Sequence, residues 1–208
     1  MAHAIEVMRQ AGATIVEIDA PELDAAKVSG LTDVQKYEFK RLMGGYLTSI
    51  PEAPAKSVSD ILASGKFHKA STESFLKSAD AIENGTNDSD YKARLAAIAE
   101  TRKAADRVLD DNRLDALVYP LQRRLVVPVT ELNQADRNGI LASVTGLPAL
   151  DVPAGFSSPT VDAPLGVPVG MDILGRAWSE PVLLKIGYAF EQVARVRKPT
   201  LSAPPLPR

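Results

Sequence analysis

Gly146-Leu-Pro-Ala-Leu-Asp-Val-Pro-Ala-Gly155-Phe156, followed by Pro168-Val-Gly-Met-Asp-Ile-Leu-Gly175, decides how the chain reads. Within these stretches Ala149 to Pro153 and Val169 to Leu174 are short apolar runs bounded by glycine and proline, the pattern of strands buried on both sides. Leu114 to Tyr119, ended by Pro120, is a third such run. Segments near 135–145 and 180–195 carry apolar residues at helical spacing. Strands alternating with helices predict an α/β fold, a sheet flanked by helices. Gly166, Gly170 and Gly175 flank a strand and do not precede a Lys-Ser/Thr helix start, so they read as turn glycines and not as a phosphate cradle.

Working outward, the longest helix is expected over about 90–113, capped by Ser89 or Asp90 after the loop 83–89, with Tyr91, Leu95, Ile98, Ala105, Val108 and Leu109 on one face. Upstream, Asp33 can cap a helix carrying Val34, Tyr37, Phe39, Leu42, Tyr46 and Leu47 and ended near Pro51. Ser57 then opens a short helix that stops at Gly65. Both helices are expected to face the core. Ile5 and Met8 start the chain on a helix ended by Gly12, and Thr14 to Ile18 alternates with β-branched residues as a strand would. No internal repeat or domain boundary is visible, so residues 1–198 read as one domain. Residues 199–208, with Pro199, Pro204, Pro205 and Pro207, read as an extended strap or frayed end.

With 208 residues, 45% of them hydrophobic and 24% charged, the chain can bury a sizeable core. A formal net charge of -2 leaves no basic excess to hold a phosphate backbone, which argues against nucleic acid as a partner. The absence of cysteine removes disulfides, thiolate metal sites and cysteine nucleophiles together. No apolar run approaches the roughly 20 residues needed to cross a bilayer, and Met1 to Gly12 lacks the apolar core of a signal peptide. The expectation is a soluble, cytoplasmic protein without membrane association, and the sequons at Asn84 and Asn87 are then chance matches.

Candidate chemistry is sparse. Ser74-Phe-Leu-Lys77 is an S-x-x-K motif that on a helix places a lysine one turn from a serine, but Lys198-Pro199-Thr200 replaces the glycine that a partnering K-T-G strand needs. A solvated helix face explains Ser74 and Lys77 as well. His3 and His68 are the two histidines, neither beside a G-x-S-x-G turn, and without cysteine they make no convincing metal site. No metal and no cofactor are expected.

Several segments in order resemble the C-terminal part of amidase-signature enzymes, amide hydrolases with a Ser-Ser-Lys centre. They are Tyr37-Glu-Phe-Lys40 with Tyr46-Leu47; Lys56-Ser-Val-Ser-Asp-Ile-Leu-Ala63; Leu114-Asp-Ala-Leu-Val-Tyr-Pro120 with Arg123-Arg124; the two stretches quoted first; and Glu180-Pro-Val-Leu-Leu184 with Ala189-Phe-Glu-Gln192. Met43-Gly44-Gly45 and Leu121 depart from the family pattern. The resemblance implies an α/β fold with a partial mixed sheet flanked by helices, and residues 1–198 as an incomplete domain. It also implies that the lysine and serines of the family's upstream half are missing. Gly44-Gly45 is followed by Tyr46, not by serines, and Ser157-Ser158 lies beyond the last core motif. Acyl transfer needs a nucleophile, a proton acceptor and oxyanion donors in one place, so no catalytic residue is assigned in this chain.

What remains implies a pocket wall. Arg123 and Arg124 at a strand end, with Asp136 and Asn138, are the substrate-pocket candidates, since arginine can pair with a substrate carboxylate. The alternative is that these four solvate loops or pair with each other. Tyr37 and Tyr119 read as core or pocket wall, and Gly146, Pro148, Pro153 and Gly155 as turn-shaping residues. The implied activity is hydrolysis of a small-molecule amide once a complementing polypeptide supplies the other half; self-association is the other expected partnership. The rival readings are a non-catalytic binding or scaffold protein derived from an amidase, and an independent S-x-x-K hydrolase. Exposed apolar surface would favour the incomplete enzyme.

Overall fold

The computed structural model describes residues 1–198; the proline-rich stretch 199–208 lies outside the described residues. Three strands form the sheet: β1 (Leu117–Pro120), β2 (Ala149–Phe156) and β3 (Pro168–Leu174), in the order β1-β3-β2 with both ladders antiparallel. Among the described residues there are eight α-helices: α1 (Ala2–Gln10), α2 (Ala25–Thr32), α3 (Gln35–Ser49), α4 (Val58–Ser64), α5 (Lys69–Asp80), α6 (Ser89–Asp111), α7 (Leu141–Thr145) and α8 (Glu180–Ala194).

Strand β3 is central, and its alternation divides the core into two. Met171 and Ile173 point to a cluster with Val152 and Ala154 of β2, Ala4 and Met8 of α1, and Leu183 and Phe190 of α8. Leu174, on the opposite face, joins Leu117 of β1 and Leu109, Val108 and Ala105 of α6, together with Leu141 and Val28. Burying a side chain such as the fully enclosed Leu109 contributes about 2 to 3 kcal/mol. Strand β3 is thus buried on both sides, as its apolar run suggests. Strand β2 is not: Ala149 and Asp151 face outward, because β2 is an edge strand covered by α8 on one side only. At its far end the register slips between Pro153 and Gly155, and Gly155 takes φ 134° there.

The helix ends follow local side-chain chemistry. Ser57 caps α4 by accepting from Asp60 N, and Gly65 closes it in the left-handed region. Helix α6 is capped by Asp88, one residue before the expected Ser89 or Asp90, with its carboxylate accepting from Asp90 N. Two reciprocal bonds lock α3 to α6: Tyr37 donates to Asp90, and Tyr91 donates to Glu38 at 2.7 Å. Gly85 sits against them, where an added Cβ would lie 1.9 Å from the Tyr37 carbonyl oxygen. Phe39 of α3 meets Phe75 of α5 edge-on at 5.0 Å.

Three expectations are corrected. Thr14 to Ile18 forms no strand, because none of its main-chain groups has a backbone hydrogen-bond partner among the described residues. Of the 135–145 segment only Leu141–Thr145 is helical; residues 136–139 instead bond back to the chain leaving β1. Leu42, Tyr46 and Leu95, assigned to buried faces, are 52%, 62% and 42% exposed, since only one stripe of α3 and α6 meets another element. Helix α2 has no counterpart in the sequence reading, although Asp24, which caps it by accepting from Ala26 N and Lys27 N, is a legible signal; α5 extends the helix face of Ser74 and Lys77 over Lys69–Asp80.

Candidate functional site

Beyond Pro120 the chain continues in an irregular pairing with residues 136–139. The Leu121 carbonyl accepts from Asn138 N at 3.2 Å and Gly139 N at 2.9 Å, and Arg123 N donates to Asp136 O at 3.0 Å. This doubling-back brings Arg123 and Asn138 together. Arg123 Nε donates to Asn138 Oδ1 at 3.0 Å, while Asn138 Nδ2 donates to the Pro120 carbonyl at 2.7 Å. Arg123 Nη2 donates to Asp24 Oδ2 at 2.8 Å, and that hydrogen bond holds the Asp24 carboxyl below its ordinary range. Asp24 therefore both caps α2 and anchors the guanidinium.

Arg123 and Asn138 line a cavity of about 360 Å³ with Leu117, Tyr119, Pro120 and Leu141. Arg124 and Asp136 do not line it. They pair with each other at 2.5 Å on the exposed outer side of the turn, where Asp136 takes φ 56°. Among the described residues Arg123 Nη1 makes no hydrogen bond, so the cavity is presented with a cationic donor held rigidly by Asp24 and Asn138.

A second polar feature crosses the sheet. Tyr119 of β1, Asp172 of β3 and Asp151 of β2 are register partners in one row on the same face. Asp172 is only 6% exposed, and an added Cβ at Gly139 would come within 2.9 Å of its Oδ2, so the turn closes directly over it. Burial raises the Asp172 carboxyl above its ordinary range and repulsion from Asp151 adds to the rise, partly offset by Tyr119; burial also raises Asp151. The Tyr119 hydroxyl is buried without a well-formed hydrogen bond, and burial beside the Asp172 carboxylate pushes its ionisation well above the tyrosine range. It stays a protonated donor. The aspartates were missed from sequence, although an acidic residue at the centre of each apolar run was the available signal.

The remaining motifs have ordinary surroundings. Ser74 is exposed on α5, and Lys77 Nζ is paired with Glu73 at 2.8 Å, which is a solvated helix face. His3 is exposed, and His68 Nδ1 bonds Ser71 Oγ at 2.7 Å. Gly146 is the left-handed C-cap of α7, and the Pro148 carbonyl accepts from Gly175 N at 3.0 Å. Among the described residues no three His, Cys, Asp or Glu side chains are grouped to hold a metal ion, and no helix is long and apolar enough to cross a membrane.

A sequence model of the amidase family matches residues 1–184. A probable amidase of Arabidopsis thaliana is 28% identical across 95% of this chain and 36% of its own length. A glutamyl-tRNA(Gln) amidotransferase polypeptide of Caldanaerobacter subterraneus is 23% identical across 91% of the chain and 39% of its own. The solved structure of native peptide amidase from Stenotrophomonas maltophilia superposes with a TM-score of 0.73 at 31% identity, covering 95% of this chain and 40% of the amidase. A bacterial aryl acylamidase shares the fold at a TM-score of 0.68 and 17% identity. The chain therefore spans about two fifths of the length of the relatives it matches, and the match is to their C-terminal part.

Proposed function

The chain belongs to the amidase family, and on that premise we propose that it is the C-terminal part of an amide hydrolase whose serine nucleophile and lysine come from polypeptide outside these 208 residues. The observation that carries the reading is the coverage: nearly the whole chain aligns, but to only 36–40% of each relative. Chemistry agrees. Ser74 and Lys77 of the S-x-x-K motif face solvent, and Lys77 engages Glu73, so neither is placed to act as nucleophile or base. A lysine acting as base at neutral pH must be desolvated or held near other cations, because at its ordinary pKa of about 10.4 it is almost wholly protonated. Lys77, exposed and paired with an anion, meets neither condition.

In this reading Arg123 and Asn138 form part of the wall of the substrate pocket. Arg123 offers its free Nη1 to a carbonyl or carboxylate of the amide substrate, with Asp24 and Asn138 fixing its plane so that little rotamer freedom is lost on binding. Arg124 and Asp136 serve the turn that positions them. Carbon–nitrogen bond cleavage follows once the missing half delivers serine and lysine to that wall; the partners are a small-molecule amide and the complementing polypeptide, in the cytoplasm.

A self-sufficient scaffold protein derived from an amidase is less well supported, because large apolar side chains stay uncovered, among them Trp178 at 89%, Tyr188 at 66% and Leu184 at 61% exposure. The test is hydrolysis of aryl, aliphatic and peptide amides by the 208-residue chain, with and without the sequence encoded directly upstream of Met1. Activity confined to the completed protein is expected. Activity of the chain alone, or an inactive completed protein, overturns the proposal.

A further inference from the structure

Among the described residues, Arg123 is the one charged side chain in the wall of the cavity at the end of β1; the rest of that wall is apolar or uncharged. Its charge is already answered. Asp24 Oδ2 accepts from Arg123 Nη2 at 2.8 Å, and that bond holds the Asp24 carboxyl below its ordinary range, so Asp24 is ionised at neutral pH. The charges nearby lean the same way. The segment that supplies Ile18, Ala20 and Leu23 to the wall also carries Asp19 and Glu22, both exposed. Arg124 pairs with Asp136, and Arg137, exposed on the same turn, is not part of the wall. Asp172 lies behind Gly139, where burial suppresses its ionisation.

An acceptor that reaches Arg123 Nη1 therefore meets a guanidinium already neutralised. A carboxylate there would be the second anion on one cation, with Asp19 and Glu22 on the same wall segment. An uncharged carbonyl accepts the same hydrogen bond and meets no such repulsion. We propose that the Arg123–Asp24 pair is a charge filter: Nη1 receives an uncharged carbonyl of the substrate, and Asp24 is the specificity-determining residue that turns away amides carrying a carboxylate at that place. This rests on the reading of the chain as part of an amide hydrolase, and it narrows the substrate class to amides that bear a second, uncharged carbonyl.

Asp24 also caps α2, its Oδ1 accepting from Ala26 N and Lys27 N, both at 3.1 Å. Asparagine caps a helix as well as aspartate does, so Asp24→Asn removes the charge facing Arg123 and should melt close to the parent. Glutaramide and its monoacid, glutaramate, differ only in whether the far end is an uncharged carboxamide or a carboxylate. Both are to be measured as competitors of an amide hydrolysed by the protein encoded together with its upstream sequence. Glutaramide should have an inhibition constant at least about tenfold below that of glutaramate, since like charge suppresses the wrong partner. Asp24→Asn should narrow that ratio by at least about fivefold, chiefly by tightening glutaramate, and about 0.5 M salt should narrow it in the parent. If Asp24→Asn weakens both competitors alike, Asp24 is a helix cap only and the filter is overturned. A parent that binds glutaramate as well as glutaramide, or binds neither, overturns it too. In each of these cases hydrolysis by the completed protein leaves the amidase reading standing; with no hydrolysis, both fall.

Discussion

Asp151 and Asp172 stand directly opposite each other across the β2–β3 ladder, and of the two only Asp172 is buried. Burial of Asp172 opposes its ionisation, and the like charge opposite opposes it further. The folded state therefore holds the Asp172 proton more tightly than the unfolded chain does. Its stabilising contribution is full below the ordinary aspartate value of 3.8 and is lost as pH rises through the elevated folded value. Asp172→Asn, neutral at every pH, should gain stability relative to the parent as pH rises above 3.8, with little difference between them below it. The urea midpoints of the two proteins, followed from about pH 3 to about pH 8, give the answer; parallel curves would remove the buried charge from the account.

Removing the Arg123 side chain should separate stability from function. The pair with Asp24 is surface-accessible, so Arg123→Ala should shift the melting temperature of the isolated chain only slightly. In the completed enzyme the same change should lower kcat/KM for amide hydrolysis by at least about tenfold, the scale expected for loss of a charge-assisted hydrogen bond. Arg124→Ala should leave kcat/KM within about twofold, because Arg124 meets only Asp136. Equal effects at the two positions would deny Arg123 a special place.

Gly85→Ala drives a methyl group into the Tyr37 carbonyl, which is backbone and cannot swing aside. A loss of about 1 to 3 kcal/mol in chemical denaturation is expected, with disruption of the Tyr37–Asp90 and Tyr91–Glu38 bonds.

Ser74→Ala should change neither stability nor reactivity. A fluorophosphonate probe should leave the 208-residue chain unlabelled, since Lys77 is held by Glu73 and Ser74 faces solvent. Stoichiometric labelling that vanishes in Ser74→Ala would restore the independent hydrolase.

Truncating Leu109→Ala, at the contact of α6 with the sheet, should cost about 2 to 5 kcal/mol, because the enclosed site can collapse only partly around the space left. Equilibrium unfolding in urea measures it.

Helix α8 and the α4 cap at Ser57 were legible in the sequence because their signals are local: a periodic apolar stripe, a serine before the first turn, a glycine after the last. The positions of all three strands were legible for the same reason. Legibility failed where a segment depends on a neighbour distant in sequence. Thr14 to Ile18 has the residues of a strand, but a strand exists only with a partner, and none is present among the described residues. Leu42 and Tyr46 have the spacing of a buried face, but nothing covers that part of α3 among the described residues except the rim of Phe75.

The candidate site divides along the same line. Arginines at a strand end pointed to Arg123, whereas its distinction from Arg124 came from the turn that folds Asn138 beneath one and turns the other outward to Asp136. Asp151 and Asp172 occupy equivalent places in two apolar runs, and sequence alone determines that each sits in a strand. Tertiary structure alone decides that Asp172, on the central strand beneath Gly139, is desolvated, while Asp151, on an edge strand with an open face, keeps contact with water. Strand propensity is a property of a residue and its immediate neighbours, whereas burial, and with it the cost of charge, is set by what the rest of the chain places on top.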